Sequence, residues 1–263
     1  MHPALRPHLD SLVVYDVDLG GPGVQIGMPA PTGTVVLPLE ERLDVGWAGA
    51  ESTRVSSWAT TSGLALRPAE IRHGERQVGV QLALTLTGAR ALLGVPAAEL
   101  AGRMVDLGDV DPALRHLPEQ LAGAPRQRRS DVVVAALLGA LERHGGYAPR
   151  PEVGRSLALL TRGAGVQQVA DEVGYSRRHL RDLVVAESGL PPQQVLRLAR
   201  FARSHRLARD PARPLETVAA EAGYSDQSHL TRDWRELAGV GPGEWRRREL
   251  PFVQDAVVDV LPG

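Results

Sequence analysis

One pattern occurs twice in the second half of this chain. Val169-Ala170-Asp171-Glu172-Val173-Gly174-Tyr175-Ser176 is matched by Val218-Ala219-Ala220-Glu221-Ala222-Gly223-Tyr224-Ser225 at a constant offset. The second copy then carries one extra residue before its next leucine, Leu230 against Leu180. Each copy leads to a turn that ends in proline, Gly189-Leu190-Pro191-Pro192 or Gly239-Val240-Gly241-Pro242. The same helix-based unit must therefore be built twice, which leaves few folds open.

Each copy has the physics of a helix-turn-helix. Val-Ala near the end of a short helix supplies a bulky contact, then a small residue where two helices meet. Gly174 and Gly223 suit a sharp turn that needs positive φ. Ser176, and Ser225 or Asp226, can cap the next helix by accepting from a free backbone N–H. Leu180, Leu183 and Val184 then face inward in the first copy, and Leu230, Trp234 and Leu237 in the second. The outer faces carry Arg177, Arg178, Arg181 and Asp182 in one unit. In the other they carry Gln227, Ser228, Thr231, Arg232 and Arg235. Arg pairs bidentately with guanine and Gln with adenine, while Thr packs on the thymine methyl. The candidate DNA-binding residues are thus Arg177, Arg178, Arg181, Gln227, Ser228, Thr231, Arg232 and Arg235. The plainer reading of this face is a solvated arginine surface.

The rest of the chain divides by periodicity. Residues 1–87 read as β-rich, with short runs such as Leu12-Val13-Val14-Tyr15 separated by Gly and Pro turns. The clearest strand alternates Val78, Val80, Leu82, Leu84 and Leu86 with Gln77, Gly79, Gln81, Ala83 and Thr85. Helical spacing takes over across 88–144, in segments 88–93, 96–101, 112–122 and 126–144. In the last of these, Val133, Leu137, Leu138 and Leu141 form a stripe. Gly145-Gly146-Tyr147-Ala148-Pro149-Arg150-Pro151 reads as a linker. Beyond it, helices are predicted at 151–161, 166–173, 176–188, 192–209, 215–222, 226–238 and 242–249. The expected architecture is α+β: a β-rich unit, then helices, then an all-α domain of two helix-turn-helix units joined by a long helix. The expected divisions are 1–145, 146–250 and an apolar, acidic tail, 251–263. Phe252, Val253, Val257, Val258 and Val260 predict that the tail docks on the first half.

Composition excludes several chemistries. With no Cys there is no disulfide, thiolate zinc site or cysteine nucleophile, so a DNA-repair methyltransferase built on such a repeat is ruled out. Lys and Asn are absent too, which points to a GC-rich, bacterial genome and leaves every cationic contact to guanidinium. The formal charge is −1, yet residues 150–250 hold 17 Arg against 13 acidic side chains. The start of the chain lacks a basic stretch followed by an apolar run, and Val132 to Leu141 is too short to span a bilayer. A cytoplasmic protein without a membrane partner is expected.

The sequence from Gly223-Tyr224-Ser225-Asp226-Gln227-Ser228-His229-Leu230-Thr231-Arg232-Asp233-Trp234 to Gly239-Val240-Gly241-Pro242 resembles the signature of AraC-type transcriptional regulators. The resemblance covers roughly 150–249. It implies two helix-turn-helix units in successive major-groove segments of double-stranded DNA. The joining helix, 192–209, would include the family-like Arg197-Leu198-Ala199-Arg200-Phe201. It departs from the family at Asp182 and Val184, where Arg and an aromatic are usual. Gly79 to Thr85 and Gly88 to Pro96 resemble the sensory half of some of these regulators. That implies a cupin-like β unit, a small-molecule effector, a homodimer formed through 88–144, and RNA polymerase as a partner.

No motif supports an enzyme, a cofactor or a metal. His73, His116 and His144 have no ligand partner at metal spacing, and His179 and His229 precede buried leucines. Trp47 and Trp58 read as core or as the aromatic wall of an effector pocket. Arg54, Arg67 and Arg72 suit solvent or an anionic effector. The rival reading of the whole is a small-molecule-binding or protein-interaction module without DNA affinity.

Overall fold

A computed structural model describes residues 2–146, 149–248 and 257–262. The first half is built on strands β1 (Leu9–Asp18), β2 (Gly23–Gly27), β3 (Gly33–Pro38), β4 (Leu43–Trp47) and β5 (Val55–Ser57). Strands β6 (Thr60–Ser62), β7 (Ala69–His73) and β8 (Arg76–Leu84) follow, then helices α1 (Leu86–Leu93) and α2 (Ala97–Leu100). Strand β9 (Met104–Asp106) precedes α3 (Leu107–Val110), α4 (Leu117–Ala122) and α5 (Arg129–His144). The second half contains α6 (Pro151–Thr161), α7 (Val166–Val173), α8 (Arg177–Ser188), α9 (Pro192–Ala208), α10 (Leu215–Ala222), α11 (Gln227–Ala238) and α12 (Pro242–Arg248). Strand β10 (Val257–Pro262) is the last described element.

Two antiparallel sheets result, one ordered β10-β1-β8-β3-β6-β9 and the other β2-β7-β4-β5. The predicted alternation holds through Leu84 in β8 and positions the larger sheet, whereas Thr85 caps α1 and Leu86 opens it. Val80, Leu82 and Leu84 join a core with Leu92, Leu121, Val133 and Leu137, so this face is covered by helices α1, α4 and α5. Gln81 points the other way, into a cavity. A smaller cluster of Leu43, Val45, Trp47 and Met104 lies against that cavity.

Helices α6, α7 and α10 occupy the predicted ranges. The β-rich half differs in detail. Five short strands, β2, β5, β6, β7 and β9, were not predicted. Segments predicted as single helices at 112–122 and 126–144 each open with a 3-10 turn, Pro112–Leu114 and Arg126–Arg128. In the first, Pro118 cannot donate to a preceding turn and so sits near the start of α4.

The tail prediction is answered in part. Strand β10 pairs antiparallel with β1, from Ser11 opposite Pro262 to Asp16 opposite Val257, so 257–262 lie on the sheet of the first half. Phe252 and Val253, like Tyr147 and Ala148 of the predicted linker, fall outside the described residues. Among the described residues, no helix is long and apolar enough to cross a membrane.

The two halves meet on a shared core. Leu64, Leu86, Ala89 and Ala97 of the first half pack with Leu157, Leu180, Val184 and Leu198 of the second. Arg90 of α1 adds a two-pronged pair with Glu187 of α8, at 3.0 and 2.8 Å.

Candidate nucleic-acid interface

Both units close their turns alike. Gly174 has φ +72° and Gly223 φ +88°, and no atom lies near where a Cβ would stand at either. Conformation rather than space therefore requires glycine there. The amide of Tyr175 donates to the Ala170 carbonyl, and that of Tyr224 to the Ala219 carbonyl, each at 2.9 Å. Ser176 then caps α8 by accepting from the His179 amide, and Asp226 caps α11 by accepting from the His229 amide at 2.7 Å. Accepting that amide, together with the Ser225 hydroxyl, holds the Asp226 carboxyl below its ordinary range. The tyrosine of each turn meets the histidine of its helix edge-on, Tyr175 with His179 at 4.7 Å and Tyr224 with His229 at 5.1 Å. These histidines pack against aromatic rings.

The inner faces are those read from periodicity. Leu180 and Val184 are buried in α8, and Leu230, Trp234 and Leu237 in α11. Leu183 is half-buried against the same core. On the outer side of α8, Arg177, Arg178 and Arg181 are exposed. Asp182 stands beside Arg181 at 3.5 Å and offsets part of its charge. On α11, Gln227, Ser228, Arg232 and Arg235 are exposed and Thr231 is half-buried. All five border one open groove of about 610 Å³ with Glu236. Thr231 donates its hydroxyl to the Gln227 carbonyl at 2.8 Å, and its methyl lies beside Gly241.

The second unit is braced more heavily. Tyr224 donates its hydroxyl to buried Asp233 at 2.8 Å, and Asp233 also accepts from Arg197 of the joining helix α9. Arg197 reaches Glu236 as well, and Arg200 lies 4.8 Å above the Tyr224 ring. Burial and the nearby Asp233 charge raise the Tyr224 hydroxyl well above its usual range, so it stays a donor.

A second feature lies behind this interface. A cavity of about 450 Å³ sits between the two sheets and is closed by Ala202, His205 and Trp245 of the helical half. Trp47 lines it and donates its indole N–H to the Gly102 carbonyl at 2.8 Å, so its ring is what it offers the cavity. Trp58 does not line it and is 38% exposed, so it belongs neither to the core nor to the cavity wall. Thr60 was not anticipated. It is 4% exposed, borders the cavity, and its hydroxyl has no partner among the described residues. Arg67 borders the cavity, whereas Arg54 and Arg72 are engaged by Glu51. Among the described residues, no group of three or more His, Asp or Glu is placed to hold a metal ion. His144 does meet a carboxylate, Asp111 at 3.2 Å, which Arg143 shares.

His205 links the cavity to the second unit. Its ring lies 4.7 Å from Trp245 and 5.9 Å from Trp234, and burial together with the Arg209 charge lowers its pKa to about 4. The folded protein thus keeps His205 neutral while an unfolded chain would protonate it below about 6.5. The resulting stability is complete above pH 6.5 and is lost as pH falls toward 4, by about 3 kcal/mol at most. Urea unfolding at pH 7 and pH 4.5 should show that loss, and His205→Leu should flatten it. An unchanged pH dependence in the variant would show that other groups cause it.

A family model described as a helix-turn-helix domain matches residues 169–248. YkgA of Escherichia coli K12, described as an HTH-type transcriptional regulator, is 27% identical over 84 residues, covering 32% of this chain and 35% of that protein. The chain thus matches about a third of that relative's length. Among solved structures, an apo ToxT variant from Vibrio cholerae strain SCE256 superposes with a TM-score of 0.54 at 12% identity, over 92% of this chain and 97% of that one. Wild-type ToxT of the same strain, bound to an unsaturated fatty acid, gives 0.50 at 10% identity, over 89% and 94%. At such identities the ToxT likeness is one of fold: a β-rich half, then helices, then the paired units. With its repeated turn, its two capped outward-facing helices and the matched family model, residues 169–248 of this chain are an AraC-type helix-turn-helix domain.

Proposed function

We propose that this protein is a sequence-specific, DNA-binding transcriptional regulator, working in the cytoplasm without a membrane partner. The observation that carries the reading is the pair of outward-facing helices, α8 and α11, with guanidinium and amide groups exposed at their N-terminal turns. That is where a recognition helix meets base edges. Residues 146–250 would bind double-stranded DNA, and 1–145 would sense a signal and dimerise through the helices of 88–144. RNA polymerase is the partner this role calls for.

The signal we assign is a small, largely apolar molecule in the cavity between the sheets. Trp47 offers an aromatic wall there and Thr60 an unpartnered hydroxyl. The fatty acid bound by ToxT is of this chemical kind. Because His205 and Trp245 close the cavity, an occupant would touch the helical half directly. Such a ligand shifts the protein only by the difference in its affinity for two arrangements of the halves.

Selection of bound duplexes from a random pool should yield one operator motif. Binding should weaken steeply with salt, because phosphate contacts release counterions. On that operator, Arg232→Ala or Gln227→Ala should cost about 1–3 kcal/mol and relax preference at one base position. Equal losses on operator and random DNA would place these side chains on phosphate. No enrichment, with no retardation at low salt, would favour an interaction module without DNA affinity.

A further inference from the structure

The two halves enclose a second space, a cleft of about 660 Å³ separate in its lining from most of the inter-sheet cavity. Four arginines border it: Arg6 from the first half, Arg162 at the end of α6, and Arg203 and Arg206 on α9. Asp10 is the one acidic side chain on its border. Among the described residues, none of the four arginines pairs with a carboxylate, and Asp10 pairs with no arginine or histidine. Arg203 is held in place by donating to the Arg162 carbonyl at 2.6 Å, which leaves its other N–H groups for a partner.

We propose that this cleft is a binding site for a small, multiply charged anion. Like charges gathered in a concave, partly apolar space focus a positive potential that one carboxylate does not balance. Guanidinium groups bind phosphate and carboxylate through paired, charge-assisted hydrogen bonds. Four of them against one acid match an anion carrying two or three charges better than a monocarboxylate. Leu157, Ala199 and Ala202 add an apolar floor, which suits an organic anion. The volume is that of a small-molecule pocket and far below that of a duplex. Such an anion would touch Arg6 of one half and α6 and α9 of the other, and so would fasten the halves together. The inference does not depend on DNA binding.

Calorimetric titration of the full chain with inorganic pyrophosphate and with citrate tests it. Saturable, one-to-one binding of either is expected, and which of them binds tells phosphate from carboxylate. R203Q/R206Q together should weaken binding about tenfold or more. Arg206→Gln alone, at an exposed side chain, should weaken it without disturbing thermal unfolding. Arg42→Gln, an exposed arginine outside the cleft, should leave it unchanged. Absence of saturable binding with both anions would overturn the proposal, as would equal weakening in Arg42→Gln. A DNA-binding salt slope lower by about two in R203Q/R206Q would also overturn it, because the cleft would then follow DNA phosphates.

Discussion

Replacing Trp234 with alanine is expected to destabilise the helical half by about 3–5 kcal/mol, the usual cost of deleting a buried aromatic ring. Trp234 is fully buried and packs 5.2 Å from Phe201 and 5.6 Å from Trp245. Its indole N–H donates to Ser204 at 2.8 Å across to α9. The ring therefore fixes α11 on the joining helix, and its loss should lower DNA affinity as well as stability. Trp234→Phe keeps most of the contact and gives up the hydrogen bond, at about 0.5–1.5 kcal/mol. Urea unfolding reads both. A loss below 1 kcal/mol for the alanine variant would mean that neighbouring side chains refill the space.

The second large effect is expected at Arg90. Removing it leaves the Glu187 carboxylate, whose side chain is 7% exposed, as an uncompensated charge at the contact between α1 and α8. Breaking such a pair from one side costs about 3–5 kcal/mol. The double change R90L/E187L should recover most of that, since two apolar side chains carry no stranded charge. Recovery would assign the loss to the orphaned carboxylate. Failure to recover would mean that the pair orients the halves in a way apolar contact does not replace. Because α8 carries Arg177, Arg178 and Arg181, operator affinity measured alongside would show whether docking of the first unit limits its reach to DNA.

The helical half was legible because its punctuation is local. Gly174 and Gly223 end α7 and α10, Pro151 and Pro192 start α6 and α9, and a 3.6-residue period sorts each face. The exposure of the candidate DNA-binding residues other than Thr231, which is half-buried, follows from that period alone. The β-rich half gave less. Strands β5 and β6 are three residues each and rich in Ser and Thr, because their side chains border a cavity and a polar contact with Asp106. Such strands lack the apolar alternation that marks a half-buried strand. The cavity itself was illegible, since it draws residues from both sheets and closes on α9 and α12. Trp47 and Trp58, alike in sequence, part ways because β4 faces inward while Trp58 sits in the turn between β5 and β6. The cavity-lining groups that periodicity overlooked, Thr60 and His205, are defined by what surrounds them.

The pairing of β10 with β1 carries a consequence for how the chain is made. Strand β1 bonds on one side to β8 and on the other to the last described segment of the polypeptide. During synthesis its outer edge stays open until 257–262 have left the ribosome, and an open edge invites pairing with other chains. Closure between such distant segments also raises contact order, which slows folding. The helical half, whose contacts are mostly between neighbouring helices, can fold in the meantime. The sheet of the first half is thus sealed only after the helical half has been made, and a nascent chain halted just after α12 would carry assembled helix-turn-helix units beside an unsealed sheet.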